Sequence, residues 1–348
     1  MLIDLRQQAD IPQLDILVKS IGEPAFRARQ LHEWIWHKQA DSFPDMKNLG
    51  KKLITHLEEN YTLNKIKIHQ EQRSADGTVK FGFELFDGNI VEGVLIPTDS
   101  RMTACISSQV GCSLTCKFCA TGYMDLKRNL QFYEIYDQVE FIRRKAMEYY
   151  QAPLTNIVYM GMGEPLLNYR QVMQSIEKVT TAEGMGMSPK RITVSSAGIA
   201  KMIRKLGDEE VKFEFALSLH AANDAKRSEI MPINEQNSLA VLKEALQHFI
   251  AKTGTRVTLE YILFQDFNDG LEDAAELFLF CQGVPCKINI IEYNPVSFSP
   301  FVNTSGNRMY RFKEYLEERG MIVNVRRSRG RDVDAACGQL AIQNNSSE

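Results

Sequence analysis

The sequence predicts an α/β protein built around a parallel β-sheet. Three observations lead to this fold class: a length of 348 residues, a globular composition with 44% hydrophobic and 24% charged residues, and a repeated alternation of short apolar runs with longer amphipathic segments from about residue 101 onward. Repeated strand–helix units favour a sheet with right-handed crossovers, either open or closed into a barrel. In such sheets the functional site lies at the carboxyl ends of the strands.

The amino-terminal residues are predicted to be helical. Pro24 stands just inside a helix start, and Phe26, Leu31 and Ile35 recur at spacings that can form one apolar stripe. Several basic residues accompany this stripe. We therefore predict a small helical domain over residues 1–62.

Residues 63–100 show the alternation of apolar and polar positions that is typical of β-strands. Two such runs, at 81–86 and 90–96, flank the turn signal Asp87-Gly88. This pattern predicts a short β-hairpin extension that links the helical region to the main domain.

The main domain is predicted over residues 101–340, followed by a polar tail over 341–348. Its strands are predicted at 103–107, 156–160, 191–195, 212–218, 256–264, 286–292 and 321–325. Its helices are predicted at 133–150, 169–181, 199–206, 238–252, 271–280 and 309–319.

Charge and hydropathy exclude several classes of protein. The formal net charge is −3, from 41 Lys+Arg against 44 Asp+Glu, so the whole molecule has no basic excess to attract nucleic acid or an anionic membrane. Any RNA contact must therefore come from a local basic patch. The sequence shows neither a signal peptide nor a stretch of about 18 uncharged apolar residues, which predicts a cytoplasmic protein without membrane attachment.

Cysteine usage indicates metal or thiol chemistry. The chain has an odd number of cysteines and four of them fall within a short segment, which is unlike the disulfide framework of a secreted protein. The seven are Cys105, Cys112, Cys116, Cys119, Cys281, Cys286 and Cys337. Cys281 and Cys286 have apolar neighbours and are expected to be small buried hydrophobic residues without a function.

The segment with the clearest chemistry is a C-x3-C-x2-C loop formed by Cys112, Cys116 and Cys119, directly after a predicted strand. Three closely spaced thiolates can hold one iron–sulfur cluster, and because a four-iron cluster usually takes four cysteines, one iron is left open for a small chelating molecule. The alternative is a structural zinc ion, which would have to recruit Cys105 or a distant histidine as its fourth ligand.

This loop, with Phe118 before its last cysteine, resembles the radical S-adenosylmethionine (radical SAM) superfamily. The segment Met-Gly-Met-Gly-Glu-Pro at 160–165 is similar to the Gly-Gly-Glu-Pro motif of that superfamily. The resemblance implies a partial (β/α)6 barrel and one [4Fe–4S] cluster held by Cys112, Cys116 and Cys119. It also implies reductive cleavage of S-adenosylmethionine to a 5′-deoxyadenosyl radical.

Further segments, spread in order over the chain, resemble the bacterial dual-specificity RNA methyltransferases. These enzymes methylate carbon 2 of an adenosine in the peptidyl-transferase centre of 23S ribosomal RNA and of the adenosine 3′ to the anticodon in certain tRNAs. The matching segments lie at 26–31, 102–109, 162–168, 216–221, 231–234, 294–295 and 332–340.

The resemblance implies a role for each site residue. One S-adenosylmethionine methylates Cys337, a second is cleaved, and the resulting methylene radical adds to the base, so that two molecules are used per turnover. Cys105 then resolves the protein–RNA thioether through a transient disulfide, and Glu92 accepts a proton. The implied contacts to S-adenosylmethionine are Glu164, Pro165, Ser196, Ser218, Leu219, His220 and Asn294.

RNA contact is predicted from an arginine cluster beside Cys337 and from the basic amino-terminal helices. The cluster comprises Arg326, Arg327, Arg329 and Arg331. The resemblance further implies a reducing electron donor such as flavodoxin or ferredoxin, and a monomer.

Two alternatives remain open from the sequence. One is a related enzyme that methylates carbon 8 of the same ribosomal adenosine and confers antibiotic resistance; Pro165 and the Leu-Leu-Asn segment at 166–168 resemble the carbon-2 family instead. The other is a non-catalytic, zinc-stapled RNA-binding protein, which would be colourless and hold about one zinc ion.

Overall fold

The fold was analysed in a computed structural model that describes residues 2–341, so the predicted polar tail lies outside this range except for its first residue. Helices α1 to α10 span Ile11–Ser20, Phe26–Trp36, Lys51–Asn60, Phe132–Tyr150, Tyr169–Thr180, Ala200–Asp208, Asp224–Ile230, Leu239–Thr253, Leu271–Cys281 and Gly306–Glu317. Strands β1 to β14 span Ile3–Asp4, Tyr61–Thr62, Lys67–Arg73, Val79–Glu84, Ile90–Thr98, Arg101–Cys105, Gln109–Val110, Arg128–Asn129, Asn156–Tyr159, Ile192–Ser196, Glu214–Ser218, Val257–Leu263, Cys286–Glu292 and Val323–Arg326.

The predicted α/β class is confirmed, and its centre is one mixed ten-stranded sheet. The strand order is β14-β13-β12-β11-β10-β9-β6-β5-β4-β3, in which the pairings from β14 to β6 are parallel. A helix follows each of the parallel strands β6 and β9 to β13, which makes six strand–helix units. The carboxyl ends of these strands therefore lie along one edge of the sheet.

The predicted hairpin extension is part of this same sheet. It contains three antiparallel strands, β3 to β5, and β5 pairs with β6 in a register that places Val94 opposite Cys105. The outermost strand, β3, has mostly exposed polar residues, as an edge strand requires. This pairing fixes Glu92 on β5 near the functional end of the sheet.

The amino-terminal helices pack on helix α4 of the main domain through aromatic and charged contacts. The Trp36 ring meets the edge of Tyr136 with ring centroids 5.4 Å apart. The fully buried Arg6 donates to Asp4 at 2.9 Å and to Asp137 of α4 at 2.6 Å. Buried side-chain contacts therefore hold the amino-terminal helices against α4, in addition to the chain that connects them.

Helix α7 was not predicted from the sequence. It is only seven residues long, and its buried side chains include Arg227, so it lacks the apolar stripe by which the longer helices are recognised. Within residues 2–341, no helix combines the length and the apolar character that crossing a membrane would require.

Candidate functional site

The three cysteines of the loop are brought together by tight backbone turns between β7 and β8. Gly111 has φ +77°, and a Cβ at this position would lie 2.0 Å from the carbonyl oxygen of Asp125. A Cβ on Gly122 would lie 2.5 Å from the carbonyl oxygen of Cys116. Only glycine therefore allows the loop to close on itself at these two points.

All three thiols line one cavity of about 910 Å³ at the carboxyl edge of the parallel strands. Burial raises the pKa of Cys112 to about 11 and raises the pKa values of Cys116 and Cys119 as well, with the neighbouring thiols acting in the same direction on Cys112 and Cys116. A positive centre that shares the cavity, such as a metal cluster, favours the deprotonated form of such thiols.

The donor set of this cavity is three cysteine thiols from one short loop. Cysteine thiolates are the usual ligands of iron–sulfur clusters, and they bind separate corners of the cluster. The chemistry of these donors therefore fits the predicted iron–sulfur cluster.

The loop after β9 forms a second wall of this cavity. Gly163 has φ +92°, and a Cβ there would lie 2.4 Å from Cβ of Gln109. The buried Glu164 carboxylate accepts hydrogen bonds from the backbone N–H of Ala197 at 2.8 Å and of Leu166 at 3.0 Å. Glu164 thus joins the ends of β9 and β10, and both it and Pro165 face the cavity.

His220 follows β11 in a left-handed conformation with φ +56° and is 3% exposed. Its Nδ1 accepts a hydrogen bond from the backbone N–H of Ile262 at 3.1 Å, so in the neutral ring the proton lies on Nε2. Burial lowers the pKa of His220 to about 3. The ring is therefore a neutral donor in the cavity wall, close to Phe118 at a centroid distance of 4.7 Å.

Nine of the predicted site residues line this first cavity. They are Cys112, Cys116, Cys119, Glu164, Pro165, Ser196, Ser218, His220 and Cys337. Leu219 and Asn294 are not among the lining residues. Leu219 is fully buried behind the strand end, and Asn294 donates from Nδ2 to the carbonyl oxygen of Cys337 at 3.2 Å.

A second cavity of about 540 Å³ lies beside the first and contains both remaining cysteines of the predicted chemistry. Cys105 and Cys337 line it together, and Cys337 and Arg326 line both cavities. Arg326 donates to the buried Glu260 at 3.2 Å, which holds the guanidinium between the two compartments.

The segment that carries Cys337 is held against the cysteine loop and the β3–β4 turn. The N–H of Ala120 donates to the carbonyl oxygen of Gly338 at 2.7 Å, and the Thr121 hydroxyl donates to that of Leu340 at 2.6 Å. On the other side, Asp332 accepts from Ser74 at 2.5 Å. Hydrogen bonds to two distant parts of the chain therefore place the Cys337 thiol.

Glu92 lines neither cavity. It is 8% exposed, and its Oε1 lies 3.3 Å from Nζ of Lys80 on the neighbouring strand. Burial raises the pKa of Glu92 to about 7, while Lys80 acts in the opposite direction. An acidic residue in an alternating strand ordinarily lies on the solvated face, but the carboxyl group of Glu92 is buried.

The arginine cluster divides into two pairs with different partners. Arg326 is paired with Glu260, and Arg331 is paired with Glu292. Arg327 and Arg329 are exposed and line the second cavity, and the structure forms no ion pair with either of them among residues 2–341. The sequence alone could not show which of the four arginines are paired, because the carboxylate partners lie on the distant strands β12 and β13.

Glu260, which lines the first cavity, and Arg227, which lies behind its wall, are further residues whose positions the sequence did not predict. Glu260 belongs to a strand that is buried along its whole length, so nothing in the local pattern distinguishes it. Arg227 lies on the unpredicted helix α7. Glu260 pairs with Arg326, 66 residues away, and Arg227 donates to Ala197, 30 residues away, so no local signal would have indicated these contacts.

Comparison with known proteins agrees with this architecture. The sequence matches the Radical SAM superfamily over residues 106–278 and the ribosomal RNA large subunit methyltransferase N-terminal domain over residues 2–63. A crystal structure of a radical SAM methyltransferase from Sphaerobacter thermophilus is similar with a TM-score of 0.91 and 39% sequence identity, and the match covers 97% of this chain and 99% of that one.

Two sequence relatives carry the same family name. A probable dual-specificity RNA methyltransferase RlmN from Cytophaga hutchinsonii is 64% identical over 329 residues, which cover 94% of this chain and 90% of the relative. A dual-specificity RNA methyltransferase RlmN from Anaeromyxobacter sp. is 43% identical over 344 residues, which cover 98% of this chain and 91% of the relative. The predicted resemblance is confirmed, and the chain belongs to the RlmN family of dual-specificity RNA methyltransferases within the radical SAM superfamily.

Proposed function

We propose that this chain methylates carbon 2 of adenosine in 23S ribosomal RNA and in certain tRNAs, with S-adenosylmethionine as the methyl source. The observation that carries the proposal is the position of Cys337, which lines one cavity with the three loop cysteines and a second cavity with Cys105. A thiol at this boundary can receive a methyl group on one side and pass it to a base on the other.

In the first cavity, Cys112, Cys116 and Cys119 would hold a [4Fe–4S] cluster. When bound, the cluster supplies the electron that cleaves S-adenosylmethionine and so gives access to radical chemistry at an unreactive carbon. Polar groups at the strand ends bind that cofactor. They come from Glu164, Pro165, Ser196, Ser218 and His220, while Leu219 and Asn294 support the wall and the Cys337 backbone from behind.

Cys337 acts as the methyl carrier. Its thiolate attacks the methyl group of one S-adenosylmethionine and releases S-adenosylhomocysteine, and a second S-adenosylmethionine is consumed to remove a hydrogen atom from the S-methyl group. The sulfur-bound carbon then adds to carbon 2 of the adenine. This sequence accounts for two molecules of S-adenosylmethionine per turnover.

Cys105 releases the product. Its thiolate attacks the Cys337 sulfur, a disulfide forms, and the bond between that sulfur and the transferred carbon breaks. The transferred carbon takes up a proton and becomes the methyl group, and the one electron left over from radical addition passes to a one-electron acceptor, namely the oxidised form of the electron-transfer partner. Glu92 accepts the proton that leaves carbon 2. Support for this role comes from its buried position on the strand beside Cys105 and from a pKa that burial raises to about 7.

RNA binding is assigned to the face around the second cavity. Arg327 and Arg329 have no carboxylate partner among residues 2–341 and can contact phosphate, whereas Arg326 and Arg331 are neutralised by Glu260 and Glu292. The target base must leave its stack to reach Cys337, which favours loops over perfect duplex. The basic amino-terminal helices extend this contact.

The remaining proposals concern the setting of the reaction. The six strand–helix units form a partial barrel, the chain acts as a cytoplasmic monomer, and a flavodoxin or ferredoxin supplies electrons. The division into a helical RNA-binding domain (1–62), a β extension (63–100) and a catalytic core (101–340) is proposed on the same grounds.

Analysis of metal and product tests the proposed function. Anaerobically purified protein is expected to be brown with about four irons per chain, and its RNA product is expected to contain 2-methyladenosine by mass spectrometry. A colourless protein with one zinc ion would contradict the proposal. Exclusive formation of 8-methyladenosine would assign the chain to the other methylation chemistry.

A variant of Cys105 tests the release step separately. Cys105→Ala is expected to accumulate a covalent protein–RNA adduct, visible as a band of reduced mobility that ribonuclease removes. Cys281→Ala is the matched control, since that buried thiol lines neither cavity. Normal turnover by Cys105→Ala would contradict the assignment of Cys105.

A further inference from the structure

Arg227 is a fully buried cation whose hydrogen-bond partners within residues 2–341 are all neutral. The side chain is 0% exposed and donates to neutral acceptors, namely the carbonyl oxygen of Ala197 at 2.6 Å, Asn234 Oδ1 at 2.8 Å and the carbonyl oxygen of Leu219 at 3.1 Å. Asp224 is connected to it only through Asn234, whose Nδ2 donates to the Asp224 carboxylate at 2.9 Å. Among residues 2–341, no carboxylate forms an ion pair with this guanidinium.

The contrast with Arg6 shows that this arrangement is unusual within the same molecule. Arg6 is buried as completely, but it contacts two carboxylates, at 2.9 and 2.6 Å. Burying an unpaired charge is unfavourable, and a guanidinium does not avoid this penalty by giving up its proton at neutral pH. Within residues 2–341, no group therefore supplies the counter-charge that the buried Arg227 guanidinium requires.

The cysteine loop lies directly against the helix that carries Arg227. The backbone N–H of Lys117 donates to the carbonyl oxygen of Ile230, the last residue of α7, at 3.0 Å. Cys116 packs in the same apolar cluster as Ile230. Arg227 also donates to the carbonyl oxygen of Ala197, whose N–H donates to Glu164 in the wall of the first cavity. The unpaired cation therefore lies on the element against which the cysteine loop packs.

We propose that Arg227 is the internal counter-ion of the cluster held by Cys112, Cys116 and Cys119, and that its positive charge raises the reduction potential of that cluster. This inference rests on the proposed function. Three thiolates outweigh the positive charge of an oxidised cluster core, and reduction adds one further negative charge. A fixed cation therefore stabilises the reduced form more than the oxidised form, since net charge and burial tune such potentials.

Arg227 also holds the cavity wall, and the experiment must separate its charge from its hydrogen bonds. Its donors reach carbonyl groups after β10 and at the end of β11, including that of Ser218 at 3.3 Å. Arg227→Lys keeps the charge but loses the planar fork of donors, whereas Arg227→Gln keeps donor capacity and loses the charge. Arg204→Gln is the matched control, because Arg204 lies on α6, is exposed and pairs with Glu244 at 3.1 Å.

The measurement is a redox titration of anaerobically prepared holoprotein with dithionite, followed by electron paramagnetic resonance of the reduced cluster. For Arg227→Gln we expect the ratio of reduced to oxidised cluster at a given potential to fall by about tenfold. For a one-electron couple this corresponds to a midpoint potential that is lower by about 59 mV. Arg227→Lys and Arg204→Gln are expected to keep the wild-type midpoint.

Iron content decides the case in which the neutral variant does not retain a cluster. The inference is supported if Arg227→Gln loses its iron while Arg227→Lys keeps the full iron content and the wild-type midpoint potential. In that case a positive charge at this position is enough to retain the cluster. An unchanged midpoint in Arg227→Gln, or a change in Arg227→Lys as large as that in Arg227→Gln, overturns it. Wild-type protein without iron would instead overturn the proposed cluster itself, so the two failures are distinguishable.

Discussion

Nζ of Lys80 lies 3.3 Å from Oε1 of Glu92, and both side chains are buried between neighbouring strands of the antiparallel extension. Burial raises the pKa of Glu92 to about 7, and the Lys80 ammonium group opposes this rise. A carboxyl group with a pKa near the working pH can both accept and release a proton, as a general base must.

Lys80→Met is expected to raise the pKa of Glu92 further, because it removes the charge that favours the ionised form. If Glu92 is the proton acceptor, the rising limb of the pH–rate profile for RNA methylation moves to higher pH. Lys67→Met on the exposed edge strand β3 serves as the control and should leave the profile unchanged. A profile that does not move in Lys80→Met would contradict the role of Glu92.

His220 is expected to make the fold sensitive to acid. Its pKa is lowered by burial to about 3, so between about pH 6.5 and pH 3 the unfolded chain binds a proton that the folded chain does not. The stability it contributes is therefore complete above about pH 6.5 and is lost as pH falls through this window.

His220→Asn tests this linkage, since asparagine tolerates the positive φ and offers an acceptor oxygen near the position of Nδ1. Between pH 7.5 and 5.5, wild type is expected to lose roughly 1 kcal/mol more unfolding free energy than the variant. Urea denaturation at the two pH values measures the difference. Equal losses in the two proteins would show that His220 is not the responsible group.

Arg6→Met is expected to destabilise the protein by about 3–5 kcal/mol, because it leaves the Asp4 and Asp137 carboxylates buried without their main partner. Lys19→Met removes an exposed partner of Asp15 and should change the unfolding free energy by less than about 1 kcal/mol. Chemical denaturation of both variants checks the prediction, and similar small effects would mean that the buried ion pairs of Arg6 add little to the stability of the fold.

Arg326→Gln is expected to slow alkylation of Cys105. Burial raises the pKa of this thiol to about 12, Cys337 acts in the same direction, and the Arg326 guanidinium opposes both. Loss of that charge should lower the rate of iodoacetamide labelling by roughly tenfold if it raises the pKa by one unit. Mass spectrometry of anaerobically labelled protein gives the rate, with the exposed Arg308→Gln as control. A rate equal to or above that of wild type would exclude this electrostatic effect.

Elements defined by a local pattern were predicted well. The strand at 286–292 was predicted at the bounds observed for β13, and the helix at 169–181 ends one residue beyond α5. Apolar periodicity and run length determine such elements, because each residue need only face a consistent side of its own segment. Helix α7 was missed because its buried side is occupied by a charged residue, Arg227.

By itself, the sequence determined the three-cysteine loop, the order of strand–helix units and the identity of the family. Tertiary structure alone decided that Cys337 and Cys105 line a common cavity, that Glu92 is buried against Lys80, and that two of the four clustered arginines are paired with carboxylates. The physical reason is that the residues of a local motif are close in sequence, so their spacing can be read directly from the chain. Contacts between distant residues depend on sheet register and on hydrogen bonds that anchor a loop, and no short stretch of sequence specifies either.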